Sequence, residues 1–206
     1  VMISYLGRLN YTLLNRYNFT YSYRDDSSSV FPKNQRDGFH SGAFAWNAHL
    51  EPFLKSVDNL SNLKLRFSYG QTGNAGIPYY ESQATLGDAF PVIGDNLTTG
   101  VATGNLANEN IKWESTDQYD AGFEIGLFDD RLNLTADVYY KKTNDMLLRK
   151  PLPISTGFDY ILTNAGNIEN KGLELALRTV NIDKGFKWET ELNFAVNRNK
   201  VLSLGE

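Results

Sequence analysis

Over most of the chain, apolar residues recur at every second position. Leu132, Leu134, Ala136, Val138 and Tyr140 alternate with Asn133, Thr135, Asp137, Tyr139 and Lys141. Tyr119, Ala121, Phe123, Ile125 and Leu127 alternate with Asp120, Gly122, Glu124 and Gly126. The same rhythm runs through Leu63–Tyr69, Leu173–Leu177, Phe186–Val196 and Tyr17–Tyr23. Successive side chains of a strand point to opposite faces, so each run predicts a strand with one apolar and one polar face. Val1–Leu14 reads as a further strand, and Phe39–Ala48 as an eighth with a less regular pattern.

Register follows from the turns. With Asp129-Asp130 in a two-residue turn, Leu127 faces Leu132, Ile125 faces Leu134, Phe123 faces Ala136 and Tyr119 faces Tyr140. Apolar then meets apolar throughout, as cross-strand pairing favours. At the first hairpin a three-residue turn, Leu14-Asn15-Arg16, pairs Tyr11 with Phe19 and Leu9 with Tyr21, whereas a two-residue turn sets Tyr11 against Thr20. The odd loop is therefore expected.

Connections alternate between short and long. Asn15-Arg16, Asp129-Asp130 and Asp183-Lys184-Gly185 are tight, and a modest link joins Ala48 to Asn62, with one helical turn expected at Pro52–Val57. The stretches Asp25–Gly38, Gly70–Lys112 and Thr143–Ile168 are long. One end of the sheet thus carries short turns and the other long loops, as in an outer-membrane barrel. Alternation sustained over about ten residues fits a tilted membrane strand of about 9 to 11 residues better than a soluble strand of about five or six. Tyr17, Tyr69, Tyr119, Tyr140 and Trp188 are placed for an interfacial aromatic girdle. The expected fold is all-β, an antiparallel up-and-down meander of about eight long strands.

Composition leaves this reading standing and removes others. The chain is 41% hydrophobic and 13% aromatic, too apolar for a disordered segment. No run approaches the roughly 18 to 20 apolar residues of a membrane helix. A net charge of −4 gives no basic excess for nucleic acid. Cysteine is absent, which removes disulfides and thiolate chemistry. The opening residues Val1-Met2-Ile3-Ser4-Tyr5 show no signal-peptide pattern, as expected for an internal piece of a longer chain.

Several motifs recur along the chain in the order of a known family. They run from Leu60-Ser61-Asn62-Leu63-Lys64-Leu65-Arg66 through Ser68-Tyr69-Gly70 to Thr72-Gly73-Asn74. Glu51-Pro52-Phe53-Leu54-Lys55 lies upstream, and Ile111-Lys112-Trp113-Glu114-Ser115-Thr116 downstream. Asp137-Val138-Tyr139-Tyr140-Lys141-Lys142-Thr143, Pro151-Leu152-Pro153 with Thr156-Gly157-Phe158, Asn164-Ala165-Gly166, Asn170-Lys171-Gly172 and Asn199-Lys200-Val201-Leu202 follow in family order. Together they resemble the SusC/RagA-type TonB-linked outer-membrane transporters, and the resemblance implies a barrel of about 22 strands around an N-terminal plug. On that basis residues 1–206 are a partial barrel domain, without the plug or the C-terminal strands, ending at Glu206 where an outer loop would begin. It further implies a Gram-negative outer-membrane location and import of oligosaccharides or peptides. The partners implied are the lipid bilayer, a SusD-like surface lipoprotein and the TonB complex, reached through the absent N-terminal part.

In that frame Lys64, Arg66, Glu124, Asp137, Lys141, Glu174, Arg178, Glu189 and Glu191 are expected to face the lumen, and their mixed signs suit a polar plug better than an ion filter. No cofactor and no enzymatic chemistry are expected. The glycine-rich Gly70–Gly76 stretch precedes Pro78 and two tyrosines rather than the helix a phosphate cradle needs, and reads as an outer loop. His40 and His49 read as turn or interface residues, Asp25-Asp26 and Asp95 as solvated loop residues. Glu189 and Glu191, about 7 Å apart on one strand face, have the neighbours of a wet surface, not of a glycosidase pair. A soluble β-sandwich carbohydrate-binding module is the rival reading, since it would also use the aromatics.

Overall fold

The computed structural model of the chain describes residues 1–33 and 35–204. One eight-stranded antiparallel sheet dominates it, built from β1 (Met2–Leu13), β2 (Tyr17–Ser28), β3 (Arg36–Asn47), β4 (Leu60–Asn74), β9 (Glu114–Leu127), β10 (Leu132–Asn144), β13 (Asn167–Asp183) and β14 (Lys187–Ser203). Small hairpins decorate the connections: β5 (Leu86–Ala89) with β8 (Gly100–Thr103), β6 (Val92–Ile93) with β7 (Asn96–Leu97), and β11 (Leu147–Pro151) with β12 (Tyr160–Asn164). The large sheet is a meander, each main strand hydrogen-bonded to the next main strand in sequence. No second large sheet faces it among the described residues, so a sandwich is not what this pattern builds. Nor is any described helix long and apolar enough to cross a membrane.

The expected registers are observed. Tyr11 pairs with Phe19 and Leu9 with Tyr21, so the first turn is the odd one. Its geometry needs left-handed backbone at Leu14 (φ 54°) and Asn15 (φ 56°), and Arg16 N–H closes it on the Leu13 carbonyl at 3.0 Å. Leu127 pairs with Leu132, Ile125 with Leu134, Phe123 with Ala136 and Tyr119 with Tyr140. Phe128, Asp129 and Asp130 all take left-handed backbone in that turn, and the Asp130 N–H donates to Ser61 Oγ at 3.0 Å.

The strands are longer than the alternation shows. The third begins at Arg36 rather than Phe39, and Ala48 belongs to a 3-10 turn at Ala48–Leu50. Helical geometry sits there, ahead of Pro52–Val57, which forms turns. Asp25 and Asp26 lie in β2, not in a loop: Asp25 is ion-paired to Arg36, and Asp26, fully buried, lies 2.7 Å from Arg24 Nε. Gly70–Asn74 is the end of β4 and not an outer loop. Tyr69, Tyr119 and Tyr140 consequently stand inside their strands, several residues from the ends. Polar residues such as Asp117, Gln118 and Lys142 obscure these extensions in sequence, because backbone pairing continues where side-chain alternation has stopped. Glu206, the expected start of an outer loop, lies outside the described residues.

The buried core sits at the long-loop end, and all three long connections contribute to it. Phe31, Ile77, Ile111, Trp113 and Leu162 pack with Phe39 of β3, and Trp113 lies 5.2 Å from Phe31 and 5.8 Å from Phe39, ring to ring. Pairing of β3 with β4 stops at Ser41–Gly70, and the strands part there. A side chain at Gly73 would stand 2.0 Å from the Phe39 ring, so glycine is required for that ring to enter. Cross-links join the connections: Ser82 Oγ donates to the Val30 carbonyl (2.8 Å), Trp113 Nε1 to the Gln35 carbonyl (3.2 Å) and Asn108 Nδ2 to the Leu162 carbonyl (2.9 Å).

Candidate functional site

Rows of side chains run straight across the sheet because the pairing is in register. On one face lie Tyr11, Phe19, Phe44, Phe67, Ala121, Val138, Leu173 and Val196, one from each strand. The adjacent row of that face reads Leu13, Tyr17, Trp46, Leu65, Phe123, Ala136, Leu175 and Phe194. Many of these are exposed although apolar: Phe67 by 51%, Val138 by 50% and Phe194 by 55%. Water does not stabilise an apolar surface of this extent.

The opposite face is polar. Its rows include Thr12, Asn18, Ala45, Arg66, Gly122, Asp137, Glu174 and Ala195, and next to it Asn47, Lys64, Glu124, Thr135, Ala176 and Asn193. Lys64, Arg66, Glu124, Asp137, Lys141, Glu174, Arg178, Glu189 and Glu191 lie together on this face by register and parity.

Seven of the nine form two ion-pair clusters. In the first, Arg66 on β4 reaches across β9 to Asp137 on β10, its Nη2 donating to both carboxylate oxygens at 2.9 and 3.1 Å. Arg66 Nε lies 3.3 Å from Glu124, and Lys64 Nζ 3.9 Å from the same carboxylate. Gly122 makes the reach possible, since a Cβ there would stand 2.0 Å from Asp137 Oδ1. In the second cluster Arg178 on β13 holds Glu189 at 2.8 Å and Glu191 at 3.6 Å on β14. The two glutamates therefore share one cation, which fits a charge-balanced surface and not an acid–base pair. Lys141 and Glu174 stand on the face with no ion-pair partner among the described residues, and Glu174 is opposite Asp137 in register.

Three features escape sequence reading. Ser68 Oγ and Gln118 Nε2 donate to Asp120 (3.1 and 2.9 Å), extending the polar network across β4 and β9. A niche of about 230 Å³ opens beside Arg66, Asp120 and Asp137 because Ala43, Ala45 and Gly122 are small. At the short-turn end the buried Glu51 carboxylate accepts from the Tyr17 hydroxyl (2.5 Å), Arg16 Nη1 (3.0 Å) and Trp46 Nε1 (3.1 Å), fastening the first turn to β3. The signal for Gly122 was its place inside an alternating run, where a glycine marks a close approach.

The histidines sit apart in role: the His40 ring lies 2.8 Å from the Tyr21 hydroxyl, and His49 Nδ1 lies 3.3 Å from the Leu63 carbonyl. Among the described residues no three metal-ligating side chains gather.

Comparison with known proteins agrees with this geometry. The family model described as TonB dependent receptor-like, beta-barrel matches residues 4–201. TonB-dependent receptor P3 of Formosa agariphila is 42% identical over 98% of the chain, which covers 20% of that protein. TonB-dependent receptor SusC of Bacteroides thetaiotaomicron is 37% identical, again over 98% of the chain and 21% of the relative. The solved structure of the RagAB peptide transporter superposes with a TM-score of 0.88 at 30% identity, over 99% of this chain and 22% of that one. The chain thus spans about a fifth of the length of these relatives. Matched in sequence and in strand arrangement over nearly all its residues, the chain belongs to the TonB-dependent receptor β-barrel family, among its SusC/RagA-type members.

Proposed function

We propose that the chain is a wall segment of an outer-membrane, TonB-dependent transporter that imports nutrients, oligosaccharides or peptides. The carrying observation is the division of the sheet into one predominantly apolar and one predominantly polar face over strands of 12 to 17 residues. In this reading the apolar face meets lipid and the polar face lines the lumen, where Lys64, Arg66, Glu124, Asp137, Lys141, Glu174, Arg178, Glu189 and Glu191 contact a plug domain. From Tyr119 to Leu127 the apolar side of β9 has the length a tilted membrane strand needs, about 9 to 11 residues. The long, cross-linked connections face outward, where a SusD-like lipoprotein and the substrate would meet them, while the TonB complex acts through a part of the protein outside this chain. The peptide transporter named for the RagAB structure supports import of a polymer-derived nutrient. The work of the segment is transport, with no chemical step.

Uptake is the test. Cells carrying the full-length transporter, given labelled oligopeptides and oligosaccharides in turn, should accumulate one class. Accumulation should stop when the TonB system is deleted. Uptake of neither class, or uptake indifferent to TonB, contradicts the proposal.

A further inference from the structure

On the sheet's apolar side charge begins in the row of the tyrosines and continues from there toward the long loops. Tyr21, Tyr69, Tyr119 and Tyr140 belong to one row, with ring centroids 4.9 Å apart for Tyr69–Tyr119 and 6.4 Å for Tyr119–Tyr140. The same row continues as Lys171 on β13 and Arg198 on β14. One step further toward the long loops the row reads Gln71, Asp117, Lys142, Glu169 and Lys200. Cations outnumber carboxylates in this patch. Glu169 is shared by Lys171 Nζ (3.1 Å) and the Tyr140 hydroxyl (3.2 Å), and Asp117 accepts from the Tyr69 hydroxyl (2.9 Å) and Asn144 (3.3 Å). Lys200 faces Glu169 across the strands and Lys142 stands between Asp117 and Glu169, while Arg198 makes no ion pair among the described residues.

Below these cations the face is hollowed. A groove of about 730 Å³ is floored by Ala121, Val138, Leu173 and Val196, bordered by Phe67 and the two tyrosines Tyr119 and Tyr140, with Lys171 and Arg198 at its head. A second groove of about 490 Å³ opens on the other side of Phe67, where Gly42 leaves the row without a side chain. The larger trough leads to a cationic rim and the smaller one to the tyrosines Tyr21 and Tyr69, which together match a molecule with acyl chains and an anionic head.

We propose that this face holds a phosphorylated, multiply acylated lipid of the outward leaflet, its phosphate on Lys171 and Arg198 and its chains in the two grooves. Lysine and arginine at headgroup level attract anionic lipid, and guanidinium pairs with phosphate through two parallel hydrogen bonds. Two grooves flanking one ridge fit several chains better than one. The outward leaflet follows from the rim lying toward the long loops. The inference therefore rests on the apolar face meeting lipid, with those loops outward.

The experiment uses the full-length transporter in detergent, titrated with monophosphoryl lipid A and followed by native mass spectrometry. Lysine 171 and arginine 198 are changed together (K171Q/R198Q), and separately Val138→Trp fills the main groove. Both variants should fold, as read by heat-modifiable migration in gels, which tests the barrel reading independently of lipid retention. Retention of the phosphorylated lipid should weaken about tenfold or more in K171Q/R198Q, and also in the filled variant. The dephosphorylated lipid should bind the wild type as weakly as the phosphorylated lipid binds K171Q/R198Q. Equal retention by wild type and K171Q/R198Q overturns the proposal. So does equal binding of phosphorylated and dephosphorylated lipid, or phosphatidylglycerol binding as tightly as lipid A.

Discussion

Glu51 shows how one carboxylate can hold a turn. The Tyr17 hydroxyl above all, then the Trp46 indole and the Arg16 guanidinium, hold its carboxyl below the ordinary carboxylate range, against the opposing effect of burial. Since the folded pKa lies under that of the unfolded chain (about 4.3), this contribution to stability is complete above the unfolded value. It is lost as pH falls through the folded pKa. In the full transporter the thermal midpoint of Glu51→Gln should therefore lie below wild type at neutral pH, with the two curves converging below about pH 4. A constant gap across the acid range would contradict the assignment. On the sheet itself, Leu134 and Asp137 lie three apart on one strand and face opposite ways. A charge on a lipid face costs about 2 to 4 kcal/mol near the midplane. Leu134→Arg should thus lower the amount of assembled transporter in outer-membrane fractions far more than Asp137→Asn, which leaves Arg66 a polar partner. Equal losses would mean the faces are assigned wrongly.

Between elements, what was readable in sequence is what alternation and turns encode. The registers of β1 with β2 and of β9 with β10 followed from matching apolar positions, and parity placed nine charged residues on one side. Alternation says nothing about contacts between distant connections, so the core of Phe31, Phe39, Ile77, Ile111, Trp113 and Leu162 was not readable. Its members lie in apolar runs too short to show a period, such as Val30-Phe31 and Ile161-Leu162. The same blindness hid the true ends of β2 and β4, where pairing outlasts the pattern, and the reach of Arg66 over Gly122, which depends on three strands together. Because that core lies at the loop end, damage there should stay local. Trp113→Ala, from a site 3% exposed, should cost the connections about 3 to 5 kcal/mol. Amide exchange should then speed up across residues 29–33, 75–113 and 145–166 while the strands below stay protected, as expected of separately opening units. Uniform acceleration through β9 and β10 would show instead that the cap and the wall open as one.

At the scale of the whole molecule, the sheet has two open edges that neither water nor lipid satisfies, and one face that water does not satisfy. Among the described residues β1 pairs only with β2 and β14 only with β13, so each presents a long row of unpaired N–H and C=O groups. In lipid, each unpaired backbone group costs several kcal/mol. In water, such edges template further strands, and the apolar rows from Tyr11 to Val196 add an exposed surface that favours association. Covering both requires the neighbouring strands and the bilayer together, as the barrel reading supplies. The core at the loop end does not compensate, because it joins connections and leaves both edge strands uncovered. Residues 1–206 expressed alone without detergent should therefore elute from a size-exclusion column as aggregate or be recovered from the insoluble fraction, and should carry no transport activity after reconstitution into vesicles. Refolding into detergent should raise β-content without producing the heat-modifiable band of a closed barrel, since the two edges remain open. A stable soluble monomer that unfolds cooperatively would refute the wall-segment interpretation, because it would mean that the apolar rows find one another within the chain rather than in lipid.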